Sequence, residues 1–112
     1  MTINNEAILL SMIENAYLKR KNDRIYIDSG EYWVLDDYVS VIGDAELFLV
    51  LQRALFDECR KRGYVITITA NFMLIDKVNF MYPENNAEIY EGDTSRKSFA
   101  LAYQKVVGIN GN

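Results

Sequence analysis

The chain has 112 residues, half of them apolar and a quarter charged, with a formal net charge of -4. That suffices for one folded domain over residues 1–112 and leaves no room for a second independent core. It has no histidine and one cysteine, Cys59, which excludes intrachain disulfides, the usual zinc sites and histidine-dependent triads or dyads. A mildly acidic balance also argues against a general nucleic-acid binder, which needs clustered Lys and Arg against phosphate.

Thr2 is placed to cap a first helix from Ile3 to about Lys21, where Ile3, Ala7, Leu10 and Tyr17 recur on one side. Ile8, Leu9, Met12 and Ala16 widen that stripe beyond one core face. The extra width fits either burial deep within the fold or an oligomer interface covered by a second copy of the chain. Lys19, Arg20 and Lys21, with Arg24 close behind, read as last-turn cations at the negative end of the helix dipole, a reading favoured over a phosphate-binding role.

Arg24 to Leu35 reads as a hairpin, with Ile25-Tyr26-Ile27 and Tyr32-Trp33-Val34-Leu35 around Asp28-Ser29-Gly30-Glu31, and Tyr38 to Ile42 as a short extended piece. Asp44 caps a second helix whose apolar period is Leu47, Phe48, Leu51, Ala54, Leu55 and Cys59. Arg60-Lys61-Arg62 fills its last turn and Gly63 stops it. Tyr64 to Ala70 alternates as a strand, Asn71 is a turn residue, and Phe72 to Phe80 is the partner strand, with Asp76 breaking its pattern. Met81 to Glu91 reads as loop with a short edge strand at Ala87 to Tyr90. Asp93 or Thr94 then caps a last helix that buries Phe99, Ala102, Tyr103 and Val106 and ends at Gly108, before a frayed tail.

The expected fold class is therefore α+β: an antiparallel sheet of about four strands with helices on both faces, a three-layer α/β/α sandwich in the order α-β-β-α-β-β-α. No apolar run approaches the length that spans a bilayer, and the first residues do not read as a secretion signal. A cytoplasmic protein with a reduced cysteine is expected.

Three segments carry a resemblance. Ile3-Asn4-Asn5-Glu6-Ala7-Ile8, the run from Asp44 to Gly63 continuing into Tyr64-Val65-Ile66, and Glu88 to Val107 around Phe99-Ala100-Leu101-Ala102-Tyr103 together resemble the small phage-encoded alpha-beta-alpha sandwich domains. The resemblance implies that fold and a phage or prophage origin, with the host cytoplasm as compartment. It implies no chemistry.

Among candidate sites, Asp28, Glu31, Asp36 and Asp37 lack the spacing of a calcium loop and read as turn and strand-end residues. Asp76 is a candidate buried acid, though an edge position facing water or a pairing with a neighbour such as Lys77 is the favoured explanation. Cys59 lies on an apolar stripe, where a thiol is inert. The six glycines are scattered singly and form no phosphate-cradling loop. Eight tyrosines and one tryptophan remain. Tyr26, Tyr32 and Tyr38 beside Asp28, Glu31, Asp36 and Asp37 suggest an acidic-aromatic contact surface for a basic partner. The expectation is a non-catalytic phage or prophage accessory protein that inhibits or adapts a host protein with a basic surface. It requires no cofactor, metal, membrane or direct nucleic acid. The alternative is a homodimer, joined through Ile8, Leu9, Met12 and Ala16, that acts as a sponge for a small nucleotide-like ligand.

Overall fold

A computed structural model describes residues 2–27, 32–34, 39–71, 74–81, 87–91 and 95–109. The elements run α1 (Asn5–Glu14), β1 (Lys19–Lys21), β2 (Arg24–Tyr26), β3 (Tyr32–Val34), α2 (Ala45–Lys61), β4 (Val65–Asn71), β5 (Leu74–Met81), β6 (Ala87–Glu91) and α3 (Ser95–Val107). The strands form two separate antiparallel sheets, β1-β2-β3 and β4-β5-β6. This small α+β protein is thus not the expected four-stranded three-layer sandwich, and its order is not α-β-β-α-β-β-α. Within each sheet the strands pair with their neighbours in sequence, and among the described residues the two meanders, which α2 separates, share no ladder.

The first helix is half as long as its apolar run suggests. Asn4 rather than Thr2 caps it, accepting from the Ala7 amide at 3.1 Å. The chain turns at Ala16, whose φ of 65° is left-handed. The amides of Ala16 and Tyr17 then close back onto the carbonyls of Ile13 and Met12, the paired C-terminal bonds of a Schellman motif. The turn satisfies two downstream side chains. Leu18 enters the core at 2% exposure, and the Tyr17 hydroxyl reaches α2. Lys19 to Lys21 consequently form a strand and not a helix end.

The second and third helices match their sequence signals. Asp44 caps α2 by accepting from the amides of Glu46 and Leu47, both at 3.0 Å. Both helices end in the same paired bonds as α1, with Gly63 (φ 72°) and Gly108 (φ 80°) at the left-handed position. The core joins Ile8, Leu9 and Met12 of α1 to Leu18, Ile25, Val41, the apolar stripe of α2, and Phe99, Ala102, Tyr103 and Val106 of α3. α3 packs against α1, α2 and the second sheet. Its Phe99 ring meets Phe48 edge-on at 5.5 Å between centroids, a preferred aromatic geometry. Removing a large side chain from such a core costs about 2–5 kcal/mol.

In the second sheet, Asn71 is paired with Leu74 inside the ladder, and the Ala87 strand joins the β5 edge. The register passes from Thr69↔Lys77 to Ala70↔Ile75, so Asp76 is the extra residue of a bulge. A bulge leaves one residue out of the pairing, which accounts for the break in the apolar alternation. The expected capping residues Asp93 and Thr94 lie outside the described residues, as does the end of the tail.

Candidate functional site

The short β1–β2 hairpin places its side chains by strand alternation. Asn22 takes a φ of 58° and, with Asp23, makes the two-residue turn between the paired Lys21 and Arg24. Asn tolerates that backbone better than most residues because its short amide bonds locally. Arg20 donates from Nε to the Asn22 carbonyl at 3.1 Å and braces the turn. The register continues Arg20↔Ile25 and Lys19↔Tyr26. Ile25 is fully buried and Ile27 nearly so. Residues directly opposite one another share a face, so Lys19, Lys21, Arg24 and Tyr26 occupy the outer one. β3 extends that sheet, with Tyr32 at the register position opposite Tyr26 and Val34 opposite Arg24.

Lys19, Lys21 and Arg24 are exposed and Tyr26 is half-buried. Two open depressions lie here. One, of about 530 Å³, is lined by Lys19, Arg20, Lys21 and Tyr26. The other, of about 280 Å³, is lined by Lys21, Asn22, Asp23, Arg24 and Tyr26. Tyr26 and Lys21 border both. Four of the chain's 12 cations and one of its 16 acids fall between Lys19 and Ile27, so this hairpin is basic while the rest of the chain carries -7.

The second basic cluster has a different fate. Arg62 donates to Glu58 Oε1 at 2.9 Å and Lys61 to Glu58 Oε2 at 3.0 Å, while Arg60 pairs with Asp57. Tyr17 donates to Glu58 Oε2 at 2.5 Å and lies 2.9 Å from Asp57 Oδ2. Burial opposes ionisation of Glu58, but the bonds from Tyr17, Arg62 and Lys61 outweigh it and bring its pKa down to about 2. Burial, and then the hydrogen bonds to the two carboxylates, hold the Tyr17 phenol well above its ordinary range. The Tyr17 bond, partly opposed by burial, and then Arg60 lower Asp57. These cations serve as last-turn residues and as partners of a buried carboxylate.

Of the expected partner-binding residues, Tyr26 and Tyr32 hold opposite register positions on β2 and β3. Asp28, Glu31, Asp36, Asp37 and Tyr38 lie outside the described residues. The expected oligomer interface is placed differently. Ile8, Leu9 and Met12 are 0%, 4% and 0% exposed within a single chain, so they face the chain's own core and not a second copy. Ala16 is exposed in the turn after α1. Cys59 is buried, and burial pushes its thiol up to about 11. The described residues contain no grouping of His, Cys, Asp and Glu that could hold a metal ion.

Sequence reasoning missed Lys19 and Lys21 as a strand face beside Arg24. A signal exists: Lys19 and Lys21 alternate with Leu18 and Arg20, and Arg24 and Tyr26 with Ile25 and Ile27, about Asn22-Asp23. That is period-two patterning around a turn pair.

No family model, curated protein or solved structure matches this chain. No described helix is long and apolar enough to cross a membrane.

Proposed function

We propose that this is a non-catalytic binding protein that holds an anionic partner on the outer face of its first sheet. The observation that carries the reading is the joint placement of Lys19, Lys21, Arg24 and Tyr26 around two open depressions. This partner's sign is the reverse of that expected from Asp28, Glu31, Asp36 and Asp37, which lie outside the described residues; it is read from the β1–β2 hairpin, Lys19 to Ile27, alone. A short positive surface on an otherwise acidic chain orients an anion toward one site and repels it elsewhere.

Retention on a heparin matrix tests the reading. Despite its net negative charge, the protein is expected to bind at low salt and elute as salt rises, because polyanion contacts are strongly screened. The double variant Lys21→Glu, Arg24→Glu should flow through with an unchanged circular dichroism spectrum, since both side chains are exposed at the hairpin end. Flow-through of the wild-type protein, or identical elution of the folded variant, would overturn the reading.

A further inference from the structure

We infer that the first sheet's outer face binds single-stranded nucleic acid, with Tyr26 as a stacking platform and Lys19, Lys21 and Arg24 as phosphate contacts. The inference rests on the anion-binding reading and names its ligand class. An acidic peptide requires cations but no aromatic surface between them. Here Tyr26 borders both depressions, one lined by Lys19, Arg20 and Lys21 and the other by Lys21 and Arg24 with Asp23 at the turn, so a base on the ring would have cations on either side for its flanking phosphates. The register sets Lys19 directly across from Tyr26, with Arg24 two residues along the same strand. Same-face neighbours on one strand stand about 6.7 Å apart, and a flexible extended polyanion can follow that spacing. Unstacked bases offer their faces to aromatic side chains, whereas a duplex conceals them. The chain's -7 remainder further disfavours a long rigid duplex, which would bring phosphates close to acidic surface.

The test is fluorescence anisotropy with a labelled oligothymidylate of about 12 nucleotides, its duplex with oligoadenylate, and a polyglutamate peptide of similar charge. Oligothymidylate should bind more tightly than either competitor. Tyr26→Leu should weaken it roughly 10-fold while leaving its salt dependence unchanged, because stacking carries no charge. Lys21→Ala should instead lower the slope of log affinity against log salt by about 0.7, the value for one lost single-strand phosphate contact. If Tyr26→Leu affects the fold, Tyr26→Phe provides a second check, since the ring is kept and affinity should persist. Polyglutamate or duplex binding at least as tightly as oligothymidylate would overturn this inference while leaving the anion-binding reading intact. So would a folded Tyr26→Leu protein with unchanged affinity. Failure of all three probes to bind would overturn both.

Discussion

Tyr17 Oη lies 2.5 Å from Glu58 Oε2 and joins the turn after α1 to the last turns of α2 across 41 residues of sequence. Its single proton serves two carboxylates, Asp57 being 2.9 Å away, while Lys61 Nζ stands 5.4 Å from the ring centroid. The Glu58 side chain is only 4% exposed, so a lost donor there is poorly replaced by water. Tyr17→Phe should therefore destabilise the fold by about 1–2 kcal/mol. The reading is a shift in the urea midpoint at constant slope. An unchanged midpoint would show that the Lys61 and Arg62 bonds alone satisfy Glu58.

The same carboxylate sets an acid dependence. With its pKa lowered to about 2 in the folded state and near 4.3 in the unfolded one, Glu58 binds fewer protons when folded. Its contribution is fully present above about pH 5 and declines as pH falls toward 2, by at most about 3 kcal/mol. Glu58→Gln should lower stability at pH 7 and flatten the acid limb of a stability–pH curve. A parallel curve for the variant would assign the acid sensitivity to other groups.

Ala16 explains why α1 was harder to bound from sequence than α2 or α3. At Gly63 and Gly108 the left-handed position is written in the residue type; at Ala16 it is not, since alanine favours helix. The long-range interactions of Tyr17 and Leu18 determine the turn there, and local propensity contains no record of them. That single hidden stop converted Lys19 to Lys21 from a helix end into a strand, which altered the sheet count and the charge of the candidate site together. Elements with strong local signals, such as the Asp44 cap, the α2 stripe and the Phe99-to-Val106 stripe, were readable because local and tertiary preferences agree. Ala16→Gly should stabilise the protein by about 0.5–1 kcal/mol by relieving the Cβ clash, net of glycine's greater unfolded freedom. Chemical denaturation measures it, and a loss of stability would mean that the chain entropy outweighs the strain.

Cys59 is a packing residue in a site with cations nearby, and the two influences oppose each other. Burial raises the thiol to about 11 although Arg62 pulls it down, so thiolate is scarce at neutral pH. Reaction with an aromatic disulfide reagent should be slow in the native protein and accelerate together with unfolding in denaturant. Rapid native modification would indicate an opening of α2 well below the global unfolding free energy.

Gln104, fully buried on α3, fastens the chain's beginning to its last helix. Its Oε1 accepts from the Asn4 amide at 2.6 Å and its Nε2 donates to the Thr2 carbonyl at 2.9 Å. Asn4 also caps α1, and the Asn5 side chain accepts from the Val41 amide, so one glutamine orients the start of a helix that reaches two other parts of the core. Leucine has comparable bulk but neither polar atom. Gln104→Leu should strand the Asn4 donor and the Thr2 acceptor, costing about 2 kcal/mol. Hydrogen exchange separates this local effect from general loosening: the Asn4 amide should exchange far faster in the variant, while amides in the middle of α2 should follow only the change in global stability. Equal acceleration at both places would mean that Gln104 supports the whole core and is not a specific tether of the N-terminal segment.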